Sequence, residues 1–65
     1  MIQLTRLNDK PFVLNAELIR TIEEHPDTTI TLTTGDHIVV KETARDVVER
    51  SIEYGRTLRR LVRPT

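Results

Sequence analysis

Residues 28–41, TTITLTTGDHIVVK, carry the clearest structural signal in this 65-residue sequence. Threonine alternates with Ile30 and Leu32 in the first half, and β-branched residues return after the Gly-Asp pair at 35–36. Alternation of apolar and polar side chains predicts a strand with one buried face, and Gly supplies the positive φ that a tight connection needs. The stretch therefore predicts an antiparallel hairpin closed by a two-residue turn.

Three more short strands are predicted before this hairpin. Ile2 and Leu4 alternate with polar residues, residues 12–14 are continuously apolar, and residues 19–23 have the composition of an extended segment. The connections between them contain residues that favour turns and caps. These are Asn8, Asp9, Lys10 and Pro11 in the first connection, Asn15 before a short helical turn in the second, and His25, Pro26 and Asp27 in the third.

The pattern changes from strand to helix after residue 42. Thr43 followed by Asp46 resembles a capping box, and Asp46 with Arg50 has the i,i+4 spacing of a helical ion pair. Beyond this start, apolar and small side chains recur at helical spacing, with the charged residues opposite. That face consists of Ala44, Val47, Val48, Ser51, Gly55, Leu58 and Val62, with Tyr54 and Leu61 at one margin and Ile52 at the other.

These elements together predict an α+β fold in a single domain, residues 1–65. A small antiparallel sheet of about five short strands occupies residues 2–41, and one long C-terminal amphipathic helix follows over about residues 44–62. The strand region thus spans residues 1–42 and the helical region residues 43–63.

The small size of the chain favours self-association. A domain of about 60 residues buries only about 60% of the surface of its unfolded chain, and the absence of Cys excludes disulfides. Residues 12–14 and 38–40 are apolar on both strand faces, yet one helix covers only one face of a sheet. We therefore predict a homo-oligomer and leave open whether the helix packs on its own sheet or a neighbour's. The candidate interface residues are Val13, Val39, Ser51, Gly55, Leu58, Leu61 and Val62.

A formal net charge of zero conceals an uneven distribution of charge. Residues 1–40 hold three basic and six acidic side chains, a balance of −3, and residues 41–65 hold seven and four, a balance of +3. The basic excess lies near the C-terminus, at Arg56, Arg59, Arg60 and Arg63. These cations can complement the negative end of the helix dipole or contact an acidic protein, RNA or lipid headgroups. The lack of interleaved aromatic residues argues against base stacking.

Catalytic motifs are missing from the sequence. Ser51 lies within the apolar helix face, and His25 and His37 are expected to be solvated. Glu23 and Glu24 point to opposite sides of a strand, which predicts a solvated edge and no acid–base pair. The sequence therefore predicts a protein without enzymatic activity, cofactor or metal. No apolar run reaches the roughly 18 residues of a membrane span, and no secretory signal pattern is present, so we expect a cytoplasmic protein.

Residues 1 to about 50 resemble the flagellar FlbD family, which includes swarming motility proteins of the SwrD type. The stretches that carry the resemblance are MIQLTRLN (1–8), PFVLN (11–15), IE (22–23), PDT (26–28), ITLT (30–33), Gly35 and VKET (40–43), in order and without gaps. Most matching positions look like scaffold. Arg6 and Asn8 are the best candidates for interaction, because they follow a strand end and the core does not need them to be polar.

The resemblance implies a small cytoplasmic accessory protein without enzymatic activity. It implies a role in flagellar motor power, through support of the stator units that generate torque. The implied partners are flagellar motor or stator proteins, and the implied location is the cytoplasm, including its periphery at the motor.

Two alternatives come from other functional classes. The start MIQLTR (1–6), the short strands and the C-terminal helix also resemble the carbon storage regulator family of RNA-binding dimers. However, residues 28–40 contain no Lys or Arg, so the basic segment that such a protein needs is missing and nucleic-acid binding is not expected. The other alternative is an oligomeric scaffold of unknown process.

Overall fold

Five strands precede one helix in the computed structural model, which describes residues 1–61 and the side chains of residues 1–56. The elements are β1 (Ile2–Thr5), β2 (Pro11–Leu14), a 3₁₀ turn (Ala16–Leu18), β3 (Ile19–Glu24), β4 (Thr28–Leu32), β5 (His37–Val40) and α1 (Ala44–Leu61). This arrangement confirms the predicted α+β class, the five strands and the start of the helix. The predicted helix end at residue 62 lies outside the described residues.

The strands form two antiparallel sheets rather than one. The first pairs β1 with β2, and the second has the order β3-β4-β5. The sheets meet where β1 ends, because the Lys41 N–H donates to the Thr5 carbonyl at 2.9 Å and Arg6 forms an isolated bridge with Val40. The sequence pattern indicated the strands correctly but not their division, which depends on this short contact between distant segments.

One hydrophobic core joins both sheets to the helix. Its buried members are Ile2, Leu4, Leu14, Ile30, Leu32, Val40 and Val47. In β4 the predicted alternation is confirmed, since Ile30 and Leu32 are buried between half-buried threonines. Burial of each such side chain contributes about 1.5–3 kcal/mol. The core thus rests on a few aliphatic residues from four strands and one helical valine.

The β4–β5 hairpin is longer at its turn than predicted. The Gly35 N–H donates to the Leu32 carbonyl at 2.9 Å, and the Leu32 N–H donates to the Asp36 carbonyl at 2.8 Å. Residues 33–35 therefore form a three-residue loop that ends in Gly35 at φ 94°. Such loops place the left-handed residue third, so the prediction of a two-residue turn was wrong while the need for Gly was correct.

The helix α1 begins as predicted and buries only part of the predicted apolar face. The Asp46 N–H donates to the Thr43 hydroxyl at 3.1 Å, which caps the first turn. Val47 is fully buried and Tyr54 packs against the core, whereas Val48 is 43% exposed. The apolar face is wider than the surface that β1 and β3 cover. The helix therefore buries the edge of the predicted face near Val47 and Tyr54 and leaves the opposite edge exposed.

Candidate functional site

A shallow apolar groove runs between α1 and β3. It is lined by Ala16, Ile19, Ile22, Val48, Ser51, Ile52 and Gly55. Val48 and Ile52 remain 43% and 47% exposed there. The Ser51 hydroxyl donates to the Val47 carbonyl at 2.8 Å, so its hydrogen bond is satisfied within the helix. The groove therefore presents a largely hydrophobic surface to solvent.

Charged side chains lie along the exposed flank of the helix beyond Ile52, and two of them, Glu49 and Glu53, line a separate depression between α1 and β1. Arg45 donates to Glu49 at 3.3 Å, and Arg56 donates to Glu53 at 3.2 Å. All four side chains are more than half exposed, so these ion pairs stabilise the helix by only a few tenths of a kcal/mol. The flank is therefore charged, and its ion pairs within the chain are weak.

The predicted interface residues divide between different surfaces. Ser51 and Gly55 line the groove, whereas Val13 is 64% exposed on β2 and Val39 is half-buried on β5, neither of them in the groove. The remaining members lie outside the described side chains, as do three of the basic residues. They are Leu58, Leu61 and Val62, and Arg59, Arg60 and Arg63.

Arg6 and Asn8, the predicted interaction residues of the strand region, lie in and beside the β1–β2 turn. The Arg6 guanidinium carbon is 4.5 Å from the centre of the Phe12 ring, a cation–π geometry. The Asn8 Oδ1 accepts the Lys10 N–H at 3.1 Å and Asp9 adopts φ 68°, so Asn8 stabilises a turn with a left-handed residue. Both side chains are exposed, and both have contacts within the hairpin.

Glu42 forms a polar cluster that sequence reasoning missed. Its carboxylate accepts hydrogen bonds from the Thr5 N–H at 2.8 Å and the Thr5 hydroxyl at 2.9 Å. Arg50 donates to the same carboxylate at 3.4 Å and to the Gln3 carbonyl at 2.7 Å. Arg50 therefore pairs with Glu42 and the β1 backbone rather than with Asp46 as predicted. This cluster ties the start of the helix to β1.

The environment of Glu42 favours its charged form. Burial alone would raise the pKa of this carboxyl, whose side chain is 12% exposed. Hydrogen bonds from the Thr5 N–H, its own N–H and the Thr5 hydroxyl, with the nearby Arg50 guanidinium, outweigh that effect and lower the pKa below its ordinary value of 4.5. Glu42 is thus an ionised structural anchor.

The two histidines considered as candidates for chemistry are both exposed. His37 Nδ1 lies 3.0 Å from the Thr31 hydroxyl on the neighbouring strand, and His25 is exposed in the turn before β4. Within the described part of the chain, no three His, Cys, Asp or Glu side chains cluster in a way that could hold a metal ion. In that same part, no helix is long and apolar enough to cross a bilayer.

Residues 1–58 match the protein family described as FlbD, flagellar and swarming motility proteins. The chain belongs to the FlbD family. The FlbD match covers all five strands and most of α1, and so extends beyond the residues that suggested the resemblance. Comparison with curated proteins and with solved structures gives no match.

In this FlbD-family chain, Glu24 caps the helix from a strand distant in sequence. Its Oε1 accepts the Ala44 N–H at 2.7 Å and the hydroxyl of the buried Thr28 at 3.4 Å. Glu24 is exposed, as predicted, but it also makes these two contacts. An N-terminal helix N–H has no partner within the helix, and a carboxylate there also complements the dipole. A pattern read along one strand could not show this contact.

Replacing Glu24 tests this cap. Glu24→Ala is expected to lower the free energy of unfolding by about 1 kcal/mol, the usual effect of losing an N-terminal cap. Urea unfolding followed by circular dichroism measures it. Glu23→Ala on the same strand is the matched control, because Glu23 is exposed. Equal effects of the two substitutions would contradict the capping role.

Proposed function

We propose that this protein is a flagellar accessory protein without enzymatic activity that supports motor power and swarming motility. It acts through protein–protein contacts that promote the function of the stator units. The observation that carries the proposal is the family match over residues 1–58. The proposed location is the cytoplasm, including its periphery at the motor, and the proposed partners are motor or stator proteins.

Exposed apolar side chains support a role in binding other proteins. The large ones are Met1, Leu7, Val13, Leu18, Val48 and Ile52, each 40–64% exposed. Single exposed apolar residues are common on protein surfaces, but Val48 and Ile52 share one groove. The sequence also carries basic residues near the C-terminus, and the proposal assigns them to contact with an acidic segment of a motor protein. The described surfaces suit protein contacts better than small-molecule chemistry.

Deletion of the gene tests the proposed role. We expect cells that assemble a normal number of flagella but rotate them with reduced torque, measured on beads attached to single filaments. Restoration of torque by the wild-type gene is the control. Loss of filaments together with altered levels of flagellar messenger RNA would contradict motor support and favour the RNA-binding alternative. Unchanged motility would overturn any motility role.

Charge reversal tests the proposed basic contact surface. Changing Arg56, Arg59, Arg60 and Arg63 together to Glu is expected to abolish complementation of the deletion without unfolding the domain. Reversal of Lys10 and Arg20, exposed basic residues of the strand region, is the control and should preserve complementation. Circular dichroism of both purified variants checks folding. Full complementation by the quadruple variant would exclude a required contact through these arginines.

A further inference from the structure

The groove between α1 and β3 has the features of an incomplete helix-packing surface. Val48 and Ile52 stand nearly half exposed on one wall, and Ile19 and Ile22 are only half-buried on the other. Ser51 and Gly55 lie between them, where small side chains leave room for another backbone. A helix of about 10 Å diameter is the regular element that fits beside such a wall.

The charged neighbours of Ile52 on α1 favour a second copy of the helix as the occupant. Glu49 and Arg56 lie on one flank of α1, two helical turns apart, with Ile52 between them. If a second α1 packs antiparallel about a two-fold axis near Ile52, each Glu49 faces the Arg56 of the other copy. A parallel arrangement with two-fold symmetry instead places this flank of the two helices on opposite sides of the interface, so Glu49 and Arg56 do not meet across it. Glu49 and Arg56 are therefore complementary across a two-fold interface only when the two helices are antiparallel.

We infer that this groove receives α1 of a second copy of the chain, in an antiparallel dimer centred near Ile52. An interface with two-fold symmetry uses the same patch on both subunits, so a patch that complements itself is what such a dimer requires. The dimer buries Val48 and Ile52 from both copies. This adds buried apolar surface to a chain that is too small to bury much of its own. This inference does not depend on the flagellar role.

The oligomeric state and one apolar substitution test the position of the interface. Sedimentation at 10–200 μM is expected to give twice the chain mass of 7.5 kDa for the wild type. Ile52→Asp should give a monomer that still folds, because Ile52 lies outside the buried core. Val13→Asp, at a more exposed apolar position on β2, is the control and should remain dimeric. A monomeric wild type, or dissociation by Val13→Asp but not by Ile52→Asp, would overturn the inference.

Charge swaps test the antiparallel direction. Glu49→Arg and Arg56→Glu should each weaken the dimer about tenfold or more, since each places like charges opposite one another twice. The double variant should regain dimerisation, because it restores both pairs between chains in reversed order. An equimolar mixture of the two single variants should form a mixed dimer.

The same swaps separate the interface from helix stability. The double variant does not restore the in-chain pairs Arg45–Glu49 and Glu53–Arg56, but it makes the i,i+4 neighbours Glu49 and Glu53 oppositely charged, so helix content is measured separately from dimerisation. Helical circular dichroism at low concentration reports the in-chain effect, expected to be a small change in helix content. Failure of the double variant to recover would overturn the antiparallel pairing.

Discussion

Val47→Asp is expected to unfold the protein, whereas Val48→Asp, one position further along the same helix, leaves it folded. Val47 is fully buried among the core aliphatic residues, and Val48 is 43% exposed beside the groove. An unpaired carboxylate in the core costs several kcal/mol, and a domain of this size has only a few kcal/mol of stability. Asp at the exposed position costs about 1 kcal/mol or less through helix propensity.

The two valines should be compared by thermal and urea unfolding at several protein concentrations. Concentration matters because Val48 also borders the proposed dimer interface, and dimerisation adds to apparent stability. Extrapolation to low concentration isolates the effect on the single chain. Equal destabilisation by the two substitutions would contradict an orientation of the helix in which Val47 faces the core and Val48 faces solvent.

Glu42→Gln is expected to lower the free energy of unfolding by about 1.5–3 kcal/mol near neutral pH. A neutral amide cannot replace a carboxylate that accepts two hydrogen bonds from Thr5 and one from Arg50. Hydrogen bonds to a charged group contribute about that much, and their loss leaves donors without a partner. Glu23→Gln, at an exposed position, is the control and should change stability by less than about 0.5 kcal/mol.

The pH dependence of stability provides a second measurement on Glu42. Its pKa in the folded protein lies below the ordinary value of 4.5, so the unfolded chain takes up the proton first as pH falls. Stabilisation by Glu42 is therefore fully present above about pH 4.5 and is lost as pH falls through the folded pKa. The Glu42→Gln variant should show a flatter acid limb than the wild type. Identical limbs would exclude Glu42 as a source of the acid dependence.

Elements whose signals are local were predictable from the sequence. The alternation around Ile30 and Leu32, the Asn15 cap and the Thr43 start of the helix each depend on residues a few positions apart. The structure confirms each of them, and the Glu17 N–H donates to the Asn15 side chain at 3.1 Å. Periodicity and capping therefore determined the class of the fold.

Features formed by distant segments were not predictable in this way. The carboxylates of Glu24 and Glu42 look like ordinary surface groups in the sequence, and their partners lie 20 and 37 positions away. Likewise, the wheel of α1 gives an apolar face but not the part of it that the sheets cover. Periodicity places Val48 on the apolar face but cannot show that the neighbouring sheets end before it. The partners of these carboxylates and the covered part of the helix both depend on tertiary contacts, which local sequence patterns do not show.

The contact between the two sheets has a consequence for the order in which the chain folds. Hairpins such as β4–β5 close over a few residues and form within microseconds, and β1–β2 is equally local. Joining Thr5 to Glu42 instead closes a loop of 37 residues, which has a larger entropic cost. This contact stabilises the chain only after both hairpins have formed. We therefore expect the transition state to contain the hairpins, with the junction at Thr5 and Glu42 completed late. Docking of α1, which begins two residues after Glu42, then belongs to the last stage of folding.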